Sequence, residues 1–268
     1  MAMRVKLVVA YDGTNYHGWQ IQPNCITIES ELNRCLSELL NEDIQVIGAS
    51  RTDTGVHSLG TVAVFDTNTR MPADKISYAL NQRLPEDIRI QESVQCADDW
   101  HPRHCDSKKT YLYQIYSAPF PMPSFRLNMH FSYHQYDIDA MREAAAYLIG
   151  EHDFKSFCSV GTVAETTVRT IYDVKIESRK IPGVFIAGRE GKEEPVVIQI
   201  YVSGNGFLYN MVRIIAGTLM EIGLHKYPPQ QIQKMLEAKD RQAAGPTAPA
   251  NGLTLYSYEF PEFSEKRS

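Results

Sequence analysis

The sequence has only five cysteines, no C-x-x-C spacing and no long apolar run, and its basic residues are outnumbered by acidic ones. Cys25, Cys35, Cys96, Cys105 and Cys158 are odd in number and scattered, which argues against a disulfide framework and for a reducing cytoplasm. No run reaches membrane-spanning length and the ends carry no signal peptide, so a soluble protein without a membrane partner is expected. Lys and Arg total 27 against 32 Asp and Glu, a formal net charge of -5, which argues against a uniformly basic nucleic-acid binder. No repeat is visible residue by residue.

What is present is enough apolar material, 43% of 268 residues, to bury a sizeable core as one large domain or two packed halves. The densest stretch is Gly48 to Gly60, which lies between the β-branched runs Ile44–Ile47 and Thr61–Phe65. Those runs read as two buried strands, and the polar residues between them as a loop of the kind that carries sites. Asp53 has Arg51 two residues before it and His57 four after, while Gly48, Gly55 and Gly60 permit sharp turns and close approach of a ligand. A guanidinium nearby would keep Asp53 ionised for work as a nucleophile or base. An Asx turn closed by a surface ion pair explains the same spacing.

Positive charge is concentrated rather than absent. Arg103, Lys108 and Lys109, with Arg126 beyond, adjoin the aromatic-rich strand Thr110 to Tyr116, while acidic residues gather in the helices. A basic groove on an acidic protein is compatible with this, and dimerisation would join two such grooves. Cys96, His101, His104 and Cys105 offer a candidate zinc set, but the spacing matches no standard finger and no metal is expected.

In chain order, a strand at Val5–Ala10 precedes a helix capped by Thr27 with Ile28, Leu32, Cys35, Leu36 and Leu39 on one face. After the two strands around Asp53, a helix over Ala73–Leu84 leads into a strand at Ile88–Val94. This β-α-β-β-α-β order is one ferredoxin-like half. The texture turns irregular from Ala97 to Lys109, which places the boundary between residues 1–105 and 106–268. The second part repeats the theme with a strand at Tyr111–Tyr116, a helix from Asp137 to near Gly150, strands at Thr170–Glu177 and Val196–Val202, a long helix containing Met211, Ile214, Ile215, Thr218 and Leu219, a helix over Gln230–Lys239 and a strand at Leu253–Phe260. An α+β fold of two ferredoxin-like (RRM-like) halves is expected, with a mixed, mainly antiparallel central sheet flanked by helices.

Arg51-Thr52-Asp53-Thr54-Gly55-Val56-His57 resembles the R-T-D-A-G-V-H signature of the TruA-type tRNA pseudouridine synthases. The resemblance extends through Tyr11-Asp12-Gly13 with Gly18-Trp19-Gln20, His152-Asp153-Phe154, the segment Phe207 to Gly223 with Met211-Val212-Arg213, and Gly245-Pro246-Thr247-Ala248-Pro249-Ala250. Thr54 and Ser58 depart from the family's usual small residues without touching the carboxylate. The resemblance implies isomerisation of uridine to pseudouridine at tRNA positions 38, 39 and 40, by a homodimer that needs no metal or organic cofactor.

It also implies roles: Asp53 as the catalytic carboxylate, Arg213 as its partner, Tyr111 against the target base, and Arg51 in the vacated stack or on a phosphate. His57 would orient the loop through a backbone hydrogen bond. His101 and Arg103 resemble an F-H-A-R segment, with Trp100 for Phe and Pro102 for Ala, and with Lys108, Lys109 and Arg126 would contact the tRNA backbone. Other readings remain beside these at this stage. Tyr111 shares a strand face with Tyr113 and Ile115 and reads equally as a core aromatic, and Arg213 as a snorkelling helix arginine. A catalytically idle RNA-binding homologue and a zinc-dependent hydrolase are the alternatives for the whole chain. Nothing in the sequence suggests an added RNA-binding domain, so the catalytic fold is expected to read the tRNA itself.

Overall fold

The computed structural model describes residues 2–161, 164–181 and 194–260. The chain divides into two compact units, Met1–Ser107 joined by the chain from Thr254 onward, and Lys108–Leu253. Both mix helices and strands, an α+β fold.

In the first unit β1 (Met3–Tyr11) alternates, burying Val5, Leu7, Val9 and Tyr11. It lies between β3 (His57–Thr67) and β4 (Ile88–Cys96), antiparallel to both. The short β2 (Ile47–Gly48) pairs with β3 at Val64 and Ala63, and β10 (Leu253–Glu259) runs parallel to its start, with Thr254 opposite His57. Two helices, α1 (Ile28–Leu40) and α2 (Ala73–Leu80), supply Ile28, Leu32, Cys35, Leu36, Ile76 and Leu80 to the core over this sheet. Thr27 and Ser30 form a reciprocal capping box at the start of α1, and Asn41 ends the helix in the left-handed region at φ 53°. Ala63 and Phe65 enter that core, whereas Val62 and Val64 enter a smaller cluster with Ala49, Trp100 and Phe260. Because β3 is covered on both faces, it reads in sequence as an unbroken apolar run rather than an alternating one.

The second unit is built on the antiparallel order β5 (Lys108–Ser117), β9 (Val196–Gly204), β8 (Val168–Lys180), β7 (Gly150–Asp153), with β6 (His130–Ser132) parallel to β5. Its helices are α3 (Ile138–Ala146), α4 (Met211–Gly223) and α5 (Gln231–Ala238). Ten of the thirteen residues of α4 are buried, so the helix is enclosed almost all round and its apolar residues need no single stripe. Gly217 makes that enclosure possible, since a Cβ there would lie 2.0 Å from the Pro246 carbonyl oxygen. Thr218 Oγ1 completes the fit, donating to the Ile214 carbonyl at 2.7 Å and accepting the Gly245 N–H at 2.9 Å.

Several expected boundaries move for physical reasons. Of Ile44–Ile47 only Ile47 is strand, because two side chains of α1 take the backbone donors: Ser37 Oγ accepts Ile44 N–H and Asn33 Oδ1 accepts Val46 N–H. α2 stops at Leu80, where the Asn81 amide exchanges both its hydrogen bonds with Ile90 of β4. α3 ends before Gly150, whose φ of +111° opens the edge strand β7. The long helix begins only at Met211, after Asn210 at φ +60°. The last strand, β10, pairs from Thr254 with β3 of the first unit.

Gly217→Ala forces the Pro246 backbone off α4 and is expected to cost about 1–3 kcal/mol. Urea unfolding of parent and variant checks it; an unchanged midpoint would show that the 245–250 segment is free to move.

Candidate active site

The loop that carries Asp53 is fixed at its entry, middle and exit. At the entry, Gly48 lies close against the Trp19 indole, where a Cβ would sit 2.3 Å from Nε1. Ala49 N–H donates to the Val62 carbonyl at 2.8 Å, and Arg103 Nε donates to the Gly48 carbonyl at 2.7 Å. In the middle, the Thr52 carbonyl accepts Trp19 N–H at 3.1 Å while its hydroxyl lies 2.8 Å from the buried Tyr11 hydroxyl. Gly18 allows the first of these contacts: its φ is +81°, and a Cβ would stand 2.4 Å from the Thr52 oxygen. At the exit, Val56 N–H closes a turn onto the Asp53 carbonyl and Gly55, at φ +77°, donates to Tyr16 O.

His57 then opens β3, so the strand starts earlier than the apolar run suggests. Its Nδ1 accepts the Gly13 N–H at 3.1 Å, the backbone tie expected of this residue. Its Nε2 is buried with no hydrogen-bond partner among the described residues. Asp12 Oδ1 lies 3.1 Å from the same Nδ1 and accepts both the N–H and the hydroxyl of Thr14. Burial alone would push the Asp12 carboxyl up, but these bonds outweigh it and hold it below the usual carboxylate range. Within this frame Asp53 is half-buried and Arg51 exposed.

His101 and Arg103 also belong to the first unit. The His101 ring stacks on His104 at 4.1 Å and accepts the Arg103 N–H at 3.3 Å. Burial, with the neighbouring His104 and Arg103 charges, holds the His101 imidazole below its ordinary range. Cys96, His101, His104 and Cys105 do not assemble into a metal-holding group, and no such group of three or more occurs among the described residues. Cys105 Sγ donates to His101 O, and Cys96 Sγ to Arg4 O.

The second unit carries Lys108, Lys109, Tyr111, Arg126 and Arg213. Tyr111 is buried on β5, with its ring edge-on to Phe207 at 5.2 Å and 88°. Tyr113, on the same strand face, is fully buried and donates to Pro249 O at 3.0 Å. Arg213 is held by its Nε on Ala248 O at 2.7 Å and its Nη1 on Asn210 Oδ1 at 2.8 Å, while Ala248 N–H donates back to Arg213 O. Phe207, Asn210 and Ala248 are supporting residues whose roles sequence reasoning did not assign. The signals for them were the Asn immediately before a helix and the two-proline segment that packs on it. Lys108 and Arg126 are exposed, and Arg126 Nη1 donates to Pro123 O. Lys109 is half-buried, and burial, with Arg169 adding repulsion, pushes its amine down from 10.5 to about 8.

The family model described as tRNA pseudouridine synthase matches residues 7–104 and 144–261. Among curated proteins, the tRNA pseudouridine synthase A of Acetivibrio thermocellus is 46% identical over 251 residues, covering 94% of this chain and 97% of that protein. That of Thermoanaerobacter sp. is 45% identical over 252 residues with the same coverage, and the tRNA pseudouridine synthase A 2 of Clostridium tetani 43% over 257 residues, 95% and 98%. No helix among the described residues is long and apolar enough to cross a membrane.

The Lys109 position sets a pH test. With the folded amine near 8 and the unfolded one near 10.5, the unfolded chain binds more protons between those values, so stability rises with pH across that window and is lower at pH 7. Lys109→Met is therefore expected to raise the melting temperature most at pH 7, with the gain shrinking toward pH 10.5. A gain independent of pH would contradict the burial of a charged amine.

Proposed function

Since this chain belongs to the family of tRNA pseudouridine synthases, we propose that it isomerises uridine to pseudouridine in tRNA, with Asp53 as the catalytic carboxylate. The reaction breaks the N1–C1′ bond, turns the uracil and rejoins it through C5, which loses a proton as N1 gains one. A carboxylate serves either by covalent addition or by drawing a ribose proton toward a glycal. The observation that carries this reading is the double anchoring of Thr52 by Trp19 and Tyr11, which fixes the backbone next to the half-buried Asp53. A nucleophile or base must be held to near-attack geometry, and a loop free to move would lose that.

The target nucleotide must leave its stack to meet Asp53. Arg51, exposed two residues away, fills the vacated place or holds a flanking phosphate. Tyr111, steadied by Phe207, stacks on the uracil for about 1–3 kcal/mol. Arg213 neutralises the Asp53 carboxylate; the bonds to Ala248 and Asn210 that orient its guanidinium support the role. His101, Lys108, Lys109 and Arg126 contact tRNA phosphates, and a homodimer in the cytoplasm joins their surfaces across two copies. The uridines are those at positions 38, 39 and 40, which lie along one backbone, so recognition rests on shape and phosphates rather than on base sequence.

Asp53→Asn is expected to abolish pseudouridine formation while tRNA affinity stays within about twofold, since the amide is isosteric but neither nucleophile nor base. Mapping pseudouridine in tRNA treated with the pure variant checks it. A parent protein that binds tRNA but forms no pseudouridine would instead make the chain an idle binder. Neutralising Lys108 and Arg126 together should weaken binding of all tRNA substrates by similar factors and lower the salt slope by about one for each phosphate no longer neutralised, leaving the choice among positions intact. Selective loss of one position at unchanged salt slope would assign those residues to base reading instead.

A further inference from the structure

Residues 97–107 read in sequence as a polar surface stretch, and Arg103 within it as a phosphate contact. In the structure this stretch is tied down from several directions. Trp100 is buried, with its ring edge-on to Phe260 at 5.3 Å, in the cluster that also contains Ala49, Val62 and Val64. Ala49 is the residue that follows Gly48 into the Asp53 loop. The carbonyl of Trp100 accepts Arg4 Nη1 at 3.1 Å, and Arg4 is itself held by Asp66 through two bonds of 2.8 and 2.7 Å. The turn that follows closes on itself: His104 N–H donates to His101 O, Cys105 Sγ donates to the same oxygen, and Arg103 N–H donates to His101 Nδ1. Arg103 is thus delivered to Gly48 from a fixed base, and its Nε bond to the Gly48 carbonyl spans 55 residues of sequence.

The geometry points to Arg103 as a positioning residue: the Trp100–Cys105 turn is a brace that sets the entry of the Asp53 loop, and Arg103 acts on catalysis through Gly48. A charge-assisted bond to a backbone carbonyl is among the stronger single ties available to a loop. Gly48 has the indole of Trp19 so close on one side that not even a Cβ would fit. Gly48 packs against Trp19, whose backbone N–H holds the Thr52 carbonyl next to Asp53, so a shift at the entry bears on the residue before the carboxylate through Trp19, and displacements near 1 Å cost up to about a hundredfold in rate. This inference rests on Asp53 as the catalytic carboxylate, and it differs from a phosphate contact in what it predicts for charge.

The test compares Arg103→Met, which loses both the charge and the donor, with Arg103→Gln, which loses the charge but keeps an amide N–H at the chain position of Nε. Pseudouridine formation by each gives kcat and KM, and binding of an unmodified tRNA transcript over a range of salt gives Kd and the salt slope. Arg103→Met is expected to lose about tenfold to a hundredfold in kcat and Arg103→Gln less, with Kd and salt slope near the parent's for both. Urea midpoints close to the parent's would exclude general unfolding as the cause. Near-normal kcat for Arg103→Met, with a weaker Kd and a salt slope lower by about one for both variants, overturns the inference and restores the phosphate contact. Asp53→Asn run alongside separates the two claims. Full turnover by that variant removes the catalytic assignment, whereas an inactive Asp53→Asn with an unimpaired Arg103→Met removes only the brace.

Discussion

Everything proposed for this protein depends on Thr52 having nowhere else to go. Its carbonyl is taken by the Trp19 backbone, its hydroxyl by Tyr11, and Gly18 lies so close that no side chain fits between them. The Tyr11 hydroxyl sits in the core and burial pushes its ionisation up, so it stays neutral and keeps its bond to Thr52 through the working pH range. An ion pair in the same place would have been open to screening and to titration. A buried neutral bond is open to neither.

Local chemistry was legible where the cause was local. Thr27 before an apolar stripe announces α1, and the capping box is there; Thr61–Phe65 is apolar nearly throughout and forms the middle of a strand covered on both faces. The candidate loop stood out because Arg51, Asp53 and His57 fall within a few residues between two apolar runs, and three glycines of the site region, Gly13, Gly18 and Gly48, sit where a Cβ would meet backbone or the Trp19 ring. What failed to show was whatever one segment does for another far along the chain. Ser37 and Asn33 absorb the donors of Ile44 and Val46, so a β-branched run does not become a strand. Gly150-Glu151-His152-Asp153 has no apolar alternation and still pairs with β8, because an edge strand needs a neighbour more than a pattern. Arg103 reads as one more surface cation, and nothing within several residues of it hints at a carbonyl 55 positions away.

The charge balance also takes a different meaning from the structure. Arg4 is committed to Asp66 and Trp100, Arg34 to Glu31 and Glu38, and Arg142 to Asp139. Part of the basic complement is therefore paired within the fold, and an acidic total says little about the cations left for a polyanion. Exposed Lys108 and Arg126, with Lys109 half-buried beside Arg169, belong to the stretch that begins the second unit and its first loop.

The return of β10 to β3 bears on how the protein is made. A ribosome releases residues 1–107 long before residue 254, and during that interval the first unit lacks the strand that pairs at His57 and Ser58, the Phe260 ring that packs on Trp100, and the Tyr258 hydroxyl that reaches Ala49 O. The main core over β1 has all of its members by then, so the nascent unit can collapse early while the small cluster beneath the Asp53 loop stays unfinished. The loop is completed by residues translated long after the rest of its unit, so a product ending before residue 254 would keep a folded first core without a finished Asp53 loop.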